Sequence, residues 1–249
     1  MYLLIGLLAG VFGSLVGMGG GAVMIPLLTG VMGMEQQKAH GTSLFTLVFT
    51  GITGMLVYLK FDAVDFRAAE ILALAAVITV RFGVKFAASL PSWKLKRAFG
   101  WLLCFVAMML PLKSLLVSSI LNPSPTGTML ILLTAGAFTG FLSGMLGVGG
   151  GSIMTPVMVL LIGIDQHTAQ GTSLLAMIPI GIAAAYEHWK IDMVSKKTLP
   201  YLVPAIIVGS VVGGYMAHNL PEFTLKLVFA AVLLWTGAKY IKTTKPEAK

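Results

Sequence analysis

Three consecutive glycines, then a proline, then a Gly-Thr-Ser are the residues of this chain whose types and spacing suggest chemistry. They occur twice, as Gly19-Gly20-Gly21, Pro26 and Gly41-Thr42-Ser43, and again as Gly149-Gly150-Gly151, Pro156 and Gly171-Thr172-Ser173. Neither set contains a paired acid and base or an activated nucleophile. What they offer is bare backbone N–H groups, hydroxyls and the positive end of a helix dipole, which together suit a small anion. A reading without ligand stands beside this one. Small residues let helices approach closely in membranes, and Thr or Ser at a helix start can simply cap it.

The offset between the sets is constant, 149 − 19 = 130 residues, and no gap is needed over Gly6–Leu44 and Gly136–Leu174. Gly17 matches Gly147 and Gln36 matches Gln166. Further on, Leu90-Pro91 matches Leu220-Pro221 and Phe99 matches Phe229. The duplication therefore covers the chain. Residues 1–121 form the first repeat, 122–127 a linker rich in turn residues (Asn122-Pro123-Ser124-Pro125-Thr126-Gly127), and 128–249 the second repeat.

Of 249 residues, 57% are hydrophobic and 10% charged, against about 25% charged in a soluble domain. So few charges cannot cover a surface facing water, which makes this an all-α membrane protein with the lipid bilayer as its main partner. The formal net charge of +8 reads as cytoplasmic loops rather than nucleic-acid binding. The single cysteine, Cys104, rules out an intrachain disulfide and reads as an inert buried thiol. No cluster of His, Cys and carboxylates has metal-ligand spacing, and no nucleotide loop occurs, so neither metal nor cofactor is expected. The apolar N-terminus is read as structure and not as a cleaved leader, because its pattern recurs from Gly136.

The first apolar run, Tyr2 to Met34, would make roughly 50 Å of helix against a hydrocarbon core of about 30 Å. It must tilt or break, and Gly19-Gly20-Gly21 is where it breaks. The expected pieces are Tyr2–Gly17 and Ala22–Gly33, then Met129–Gly147 and Ser152–Gly163, with each proline in the first turns of the second piece. Three spans complete each repeat: about Thr42–Leu59, Ala68–Ala88 and Ala98–Ser118, and about Thr172–Trp189, Leu199–Ala217 and Leu225–Lys239. A broken segment at membrane depth is tolerated only beside protein or a water-filled cavity.

If each broken segment crosses, the repeats are parallel; if it re-enters as a hairpin, they are inverted. The charge bias switches between repeats. Lys60 and Arg67 lie among Asp62, Asp65 and Glu70, whereas their counterpart loop carries Lys190, Lys196 and Lys197. Lys94, Lys96 and Arg97 face only Glu222 and Lys226. The preferred reading is inverted repeats, with Lys38, the 94–97 cluster, Lys196, Lys197, the basic tail and both termini on the cytoplasmic side. Two positive hairpin tips would then meet near the midplane, with the two Gly-Thr-Ser starts beside them.

Arg81 lies in an apolar span and is matched by Val211. It is read either as a fixed charge for an oxyanion or as a snorkelling side chain near the span's end. His40, matched by Gln170, is read as a substrate or proton group or as a capped interfacial histidine. Gln36 and Gln166 line an entrance or cap a half-helix. Tyr58, Trp93, Trp101, Trp189, Trp235 and Tyr240 read as an interfacial belt.

The twice-repeated G-x3-G…G-x-GGG-x4-P followed by GTS resembles the TauE/SafE family of anion transporters, the sulfite-exporter family, over nearly the full chain. The resemblance implies a secondary transporter of sulfite, sulfonates or related sulfur or carboxylate anions in a prokaryotic cytoplasmic membrane. It carries over Gly19, Gly20, Gly21, Pro26, Thr42 and Ser43, with Gly149, Gly150, Gly151, Pro156, Thr172 and Ser173. His40 against Gln170, and Arg81 without an equivalent, make an asymmetric site. Binding between the tips would be exposed alternately by rocking of one repeat against the other, with a coupling proton possible and the oligomeric state open. The rival readings are an anion channel, a non-transporting accessory subunit and an intramembrane enzyme.

Overall fold

The computed structural model describes residues 1–87, 97, 100–110, 123–147 and 149–242. The expected span ends at Ala88 and Ser118, the Lys94 and Lys96 cluster, Trp93 and the tail beyond Lys242 lie outside these. Among the described residues every regular element is helical and no strand occurs. The order is α1 (Tyr2–Leu15), α2 (Gly21–Gly30), α3 (Gln36–Lys60), α4 (Phe66–Ala87), α5 (Gly100–Leu110), α6 (Pro125–Leu146), α7 (Gly151–Val157), a π-helical continuation Met158–Ile162, α8 (Gln166–Lys190), α9 (Leu199–His218) and α10 (Glu222–Ile241).

Among the described residues five helices, α3, α6, α8, α9 and α10, are long and apolar enough to cross a membrane. α4 has the length but carries Arg67, Glu70, Arg81 and Lys85. Its outer stripe, Leu74, Ile78 and Phe82, is exposed, as are Trp101, Phe105 and Met108 of α5. Burial from water is worth roughly 1.5–3 kcal/mol for each such side chain. These stripes are stable only where the solvent is lipid.

The chain breaks at the glycines, as the sequence predicts. Gly19 and Gly20 take φ of 77° and 81°, a region that costs an L side chain roughly 1–2 kcal/mol. α2 then turns back along α1. A methyl on Gly20 would lie 2.5 Å from the Ala9 carbonyl oxygen, and Ile5, Ala9, Met24 and Leu28 share one buried cluster. At 14 and 10 residues, neither helix crosses a core of about 30 Å. α7 meets α6 in the same way, with Gly150 against Thr139. α6, however, begins at Pro125 inside the stretch read as a linker, its start capped by Ser124 Oγ accepting from Gly127 N–H at 3.2 Å.

Glycine stripes join the repeats. Gly6 and Gly10 of α1 face Leu202 and Ile206 of α9. Gly136, Gly140 and Gly144 of α6 face Leu72, Ala76 and Val80 of α4. In both pairs the numbers rise together, so the helices run parallel at backbone-to-backbone distance, as small-residue membrane seams do. α3 and α8 occupy equivalent places in the two repeats yet run antiparallel. Gly41 packs on His188, Gly51 on Leu174 and Ile178, and Gly171 on Tyr58. One end of the bundle therefore carries Lys38, Arg81, Lys190, Lys196, Lys197 and Lys239 beside Glu35, Glu187 and Asp192. The opposite end carries Asp62, Asp65, Glu70, Asp165 and Glu222 beside Lys60, Arg67 and Lys226.

Candidate functional site

The two glycine bends meet at the centre of the bundle. A methyl on Gly149 would lie 2.8 Å from the Met18 carbonyl oxygen, and one on Gly151 would strike that of Gly17. Leu47 and Met177, equivalent residues of α3 and α8, flank the junction. A methyl on Gly19 would lie 2.8 Å from Leu47 Cδ1 and 3.0 Å from Met177 Sδ. The tips, expected to hold a substrate between them, are here in direct backbone contact.

Two of the bonds that tie the repeats together recur at an offset of 130 residues. Ser173 Oγ lies 2.8 Å from the Gly17 carbonyl oxygen and Ser43 Oγ 3.4 Å from that of Gly147. Thr42 Oγ1 accepts the Ser195 N–H at 2.9 Å, and Thr172 Oγ1 the Asp65 N–H at 2.8 Å. All four hydroxyl residues are buried. This corrects the capping expectation. α3 and α8 begin at Gln36 and Gln166, more than a turn before each Gly-Thr-Ser. Asp165 caps α8 instead, accepting the Thr168 N–H at 3.0 Å.

The prolines are also placed differently. Pro26 and Pro156 are each sixth in their helices, beyond the four N–H groups a helix start leaves free. Each therefore denies an amide donor to the carbonyl four residues back, Ala22 or Ser152. Pro26 lines a cavity of ≈ 240 Å³ at the basic end, with Thr29, Gln36 and Lys239. Gln36 thus stands at an opening, whereas Gln166 is buried and its N–H reaches Glu222 Oε1 at 3.3 Å.

His40 and Gln170 do reach the bends. A methyl on Gly147 would lie 2.9 Å from His40 Cβ, and one on Gly17 2.8 Å from Gln170 Cβ. Arg81 does not. Its side chain is 63% exposed and pairs across to Glu187 of α8 at 3.9 Å. Nor is Tyr58 a belt residue: it is fully buried, its hydroxyl 2.7 Å from Gln170 Oε1 and 3.0 Å from the Ser14 carbonyl. Tyr240 is buried too, while Trp101, Trp189 and Trp235 are exposed in keeping with a belt.

Sequence reading missed a group of hydroxyls around the second bend. Ser143, at the end of α6, and Ser152, in the first turn of α7, are buried with Oγ unpartnered, as is Thr139 Oγ1. Thr139 Cγ2 would lie 2.6 Å from a methyl on Gly150. Buried Thr155 donates to Ser173 Oγ at 3.2 Å. The repeat alignment holds the signal: these four stand where the first repeat has Ala9, Gly13, Ala22 and Ile25.

A helical body with lipid-facing stripes and paired glycine breaks meeting at its centre defines a multi-pass membrane protein. The chain belongs to the Sulfite exporter TauE/SafE family, whose model matches residues 2–240. Among its relatives is the probable membrane transporter protein YunE of Bacillus subtilis, 26% identical over 95% of each chain. A probable membrane transporter protein of Methanocaldococcus jannaschii is 29% identical over 94% of this chain and 91% of that one. The Sulfite exporter TauE/SafE family protein 5 of Arabidopsis thaliana is 29% identical over 37% of this chain and 21% of its own. No solved structure matches. The family is one of membrane transporters, and the names of these relatives are names of transporters, not enzymes.

Proposed function

We propose that the chain is a secondary transporter of small oxyanions, sulfonates or sulfite being the favoured class, that binds its substrate where the two bends meet. The observation that carries this reading is the set of buried hydroxyls without partners at the second bend. An unpaired buried hydroxyl costs roughly 1–3 kcal/mol. Three of them around one helix start are reasonable as donors kept for an acceptor-rich ligand. The neighbouring backbone N–H groups of α7 add to the same field.

The closed bends correspond to an occluded state, and transport requires them to part. The serine latches, at 2.8 and 3.4 Å, are bonds of the kind a substrate oxygen can replace, and Ser173 Oγ already has a second acceptor in the Gln170 carbonyl at 2.8 Å. Antiparallel α3 and α8, parallel α4 and α6, and hairpins that return on themselves all favour inverted repeats. The concentration of lysines at one end favours that end, with both termini, as cytoplasmic in the inner membrane. Because α1 is seamed to α9 and α4 to α6, the bodies that rock are mixed: the first hairpin with α9 against the second with α4.

Counterflow in proteoliposomes tests the reading. Preloaded sulfoacetate is expected to accelerate entry of labelled sulfoacetate. Conductance without trans-stimulation would make the protein a channel. No flux of sulfoacetate, sulfite, thiosulfate, taurine or simple carboxylates by purified protein would remove the transport reading.

A further inference from the structure

The chain has four histidines, and two of them meet at the acidic end. His218 closes α9, and its ring lies 5.2 Å from that of His167 in the first turn of α8. His218 Nδ1 is 3.0 Å from the Gly214 carbonyl oxygen, so Nδ1 bears the hydrogen and donates it. Nε2 keeps its lone pair, and that atom is buried with no partner. Phe61 stacks on the ring at 4.2 Å and 17°, and Tyr58 meets it edge-on at 4.6 Å.

Tyr58 joins this pair to the first bend. It has one hydroxyl hydrogen and two acceptors, Gln170 Oε1 and the Ser14 carbonyl oxygen. Gln170 in turn packs on Gly17. At the other end His188 holds the position of Tyr58, but its Nδ1 bonds within its own helix, to Ala184 at 3.0 Å. The line from surface to bend is therefore specific to the acidic end.

We propose that His218 Nε2 is a proton-binding site that couples anion movement to proton entry from the acidic end. His167, whose Nε2 donates to the Ala217 carbonyl oxygen at 3.2 Å, is the nearest ring, and Tyr58 and Gln170 transmit the charge state of His218 to the first bend. The proposal rests on the transport reading above. A proton from water joins the Nε2 lone pair, no protein bond breaks, and the same proton leaves on the other limb of the cycle. Burial is the largest effect opposing the imidazolium, joined by a second charge on His167, while the Gly214 carbonyl, Asp165 of α8 and the Phe61 ring face favour it. The other titratable groups nearby are Lys60 and Asp62 from the end of α3 and its turn, and Tyr215 of α9, which Lys60 Nζ approaches at 3.1 Å. The two-state element is the Tyr58 hydroxyl, which bonds either Gln170 or Ser14. Carrying an anion with a proton also lowers the charge that crosses the low-dielectric core.

The test compares sulfoacetate uptake under an inward proton gradient with exchange at equal pH, taking the ratio for each protein. The wild-type ratio is expected to reach at least about threefold, to fall to about one in His218→Gln, and to fall partway in Tyr58→Phe, which keeps the ring. A wild-type ratio in His218→Gln overturns the proposal. Exchange without any gradient response in wild type overturns it too and leaves the transport reading intact. Absence of all flux removes the transport reading instead. The proton site is then judged by 15N-histidine NMR of the whole protein in nanodiscs. One Nε2 signal, missing in His218→Gln, is expected to titrate with pH and to move in Tyr58→Phe. No such titration overturns the site.

Discussion

The bends at Gly17–Gly21 and Gly147–Gly151 share a backbone plan and differ in what surrounds it. The first is lined by Ala9, Gly13, Ala22 and Ile25, and its Gly20 has a φ of 81°. The second is lined by Thr139, Ser143, Ser152 and Thr155, and its Gly150 has a φ of −91°, open to any residue. After Pro26, α2 continues as an α-helix to Gly30. Two residues after Pro156, the helix widens into the π-helical Met158–Ile162. The first bend thus requires glycine at one more position and carries fewer hydroxyls, the buried Ser14 Oγ among them. The second keeps left-handed φ at Gly147 and Gly149 and is the richer in hydroxyls, better suited to hold a ligand. Duplication supplied the geometry twice, and substitution divided the labour.

The sharpest way to break this comparison is the matched pair Gly20→Ala and Gly150→Ala. The first forces a left-handed φ and a backbone clash at Ala9, together costing at least about 2–3 kcal/mol. The second meets side-chain atoms of Thr139 and Met154 and is expected to cost under about 1.5 kcal/mol. Thermal melts in detergent decide, and equal losses would erase the distinction. Next comes ligand affinity. Ser152→Ala is expected to raise the KM for sulfoacetate about tenfold, the worth of one hydrogen bond to a charged group, without lowering the melting temperature. A KM unchanged by Ser152→Ala and Ser143→Ala would take the site away from the second bend.

The serine latches should separate as their lengths do. Ser173→Ala is expected to cost about 1 kcal/mol and Ser43→Ala less than half of that, read from denaturation midpoints. Smallest of all is Arg81→Ala. An exposed pair at 3.9 Å is worth no more than about 0.2 kcal/mol and is screened by salt. Its KM for sulfoacetate should match wild type, and a large KM increase would restore Arg81 to the binding site.

How far the sequence carried is clearest at the helix starts. The glycine breaks were legible because three consecutive glycines at membrane depth permit little else. The register was legible too, since Thr42 and Thr172, or Leu47 and Met177, do the same thing at an offset of 130. The true starts of α3 and α8 were hidden, because Gly-Thr-Ser looks like a cap and Glu35-Gln36 does not. Those threonines and serines instead bond the opposite repeat, a tertiary use that local spacing cannot reveal. Arg81 was ambiguous for a similar reason. Its direction follows from which face of α4 the α6 glycines claim, and that face is fixed by a helix far along the chain. Tyr58 looked interfacial from its place near a span's end, yet its acceptors lie on α1 and α8.

The crossed seams bear on how the molecule is made. When α1 and α4 leave the ribosome, the helices that complete them, α9 and α6, are still untranslated, and each waits in lipid with a groove unfilled. The N-terminal half cannot mature by itself, however well its own helices insert. Separately expressed halves should therefore be degraded alone and rescued together, the signature of a clasp whose two parts are threaded through each other.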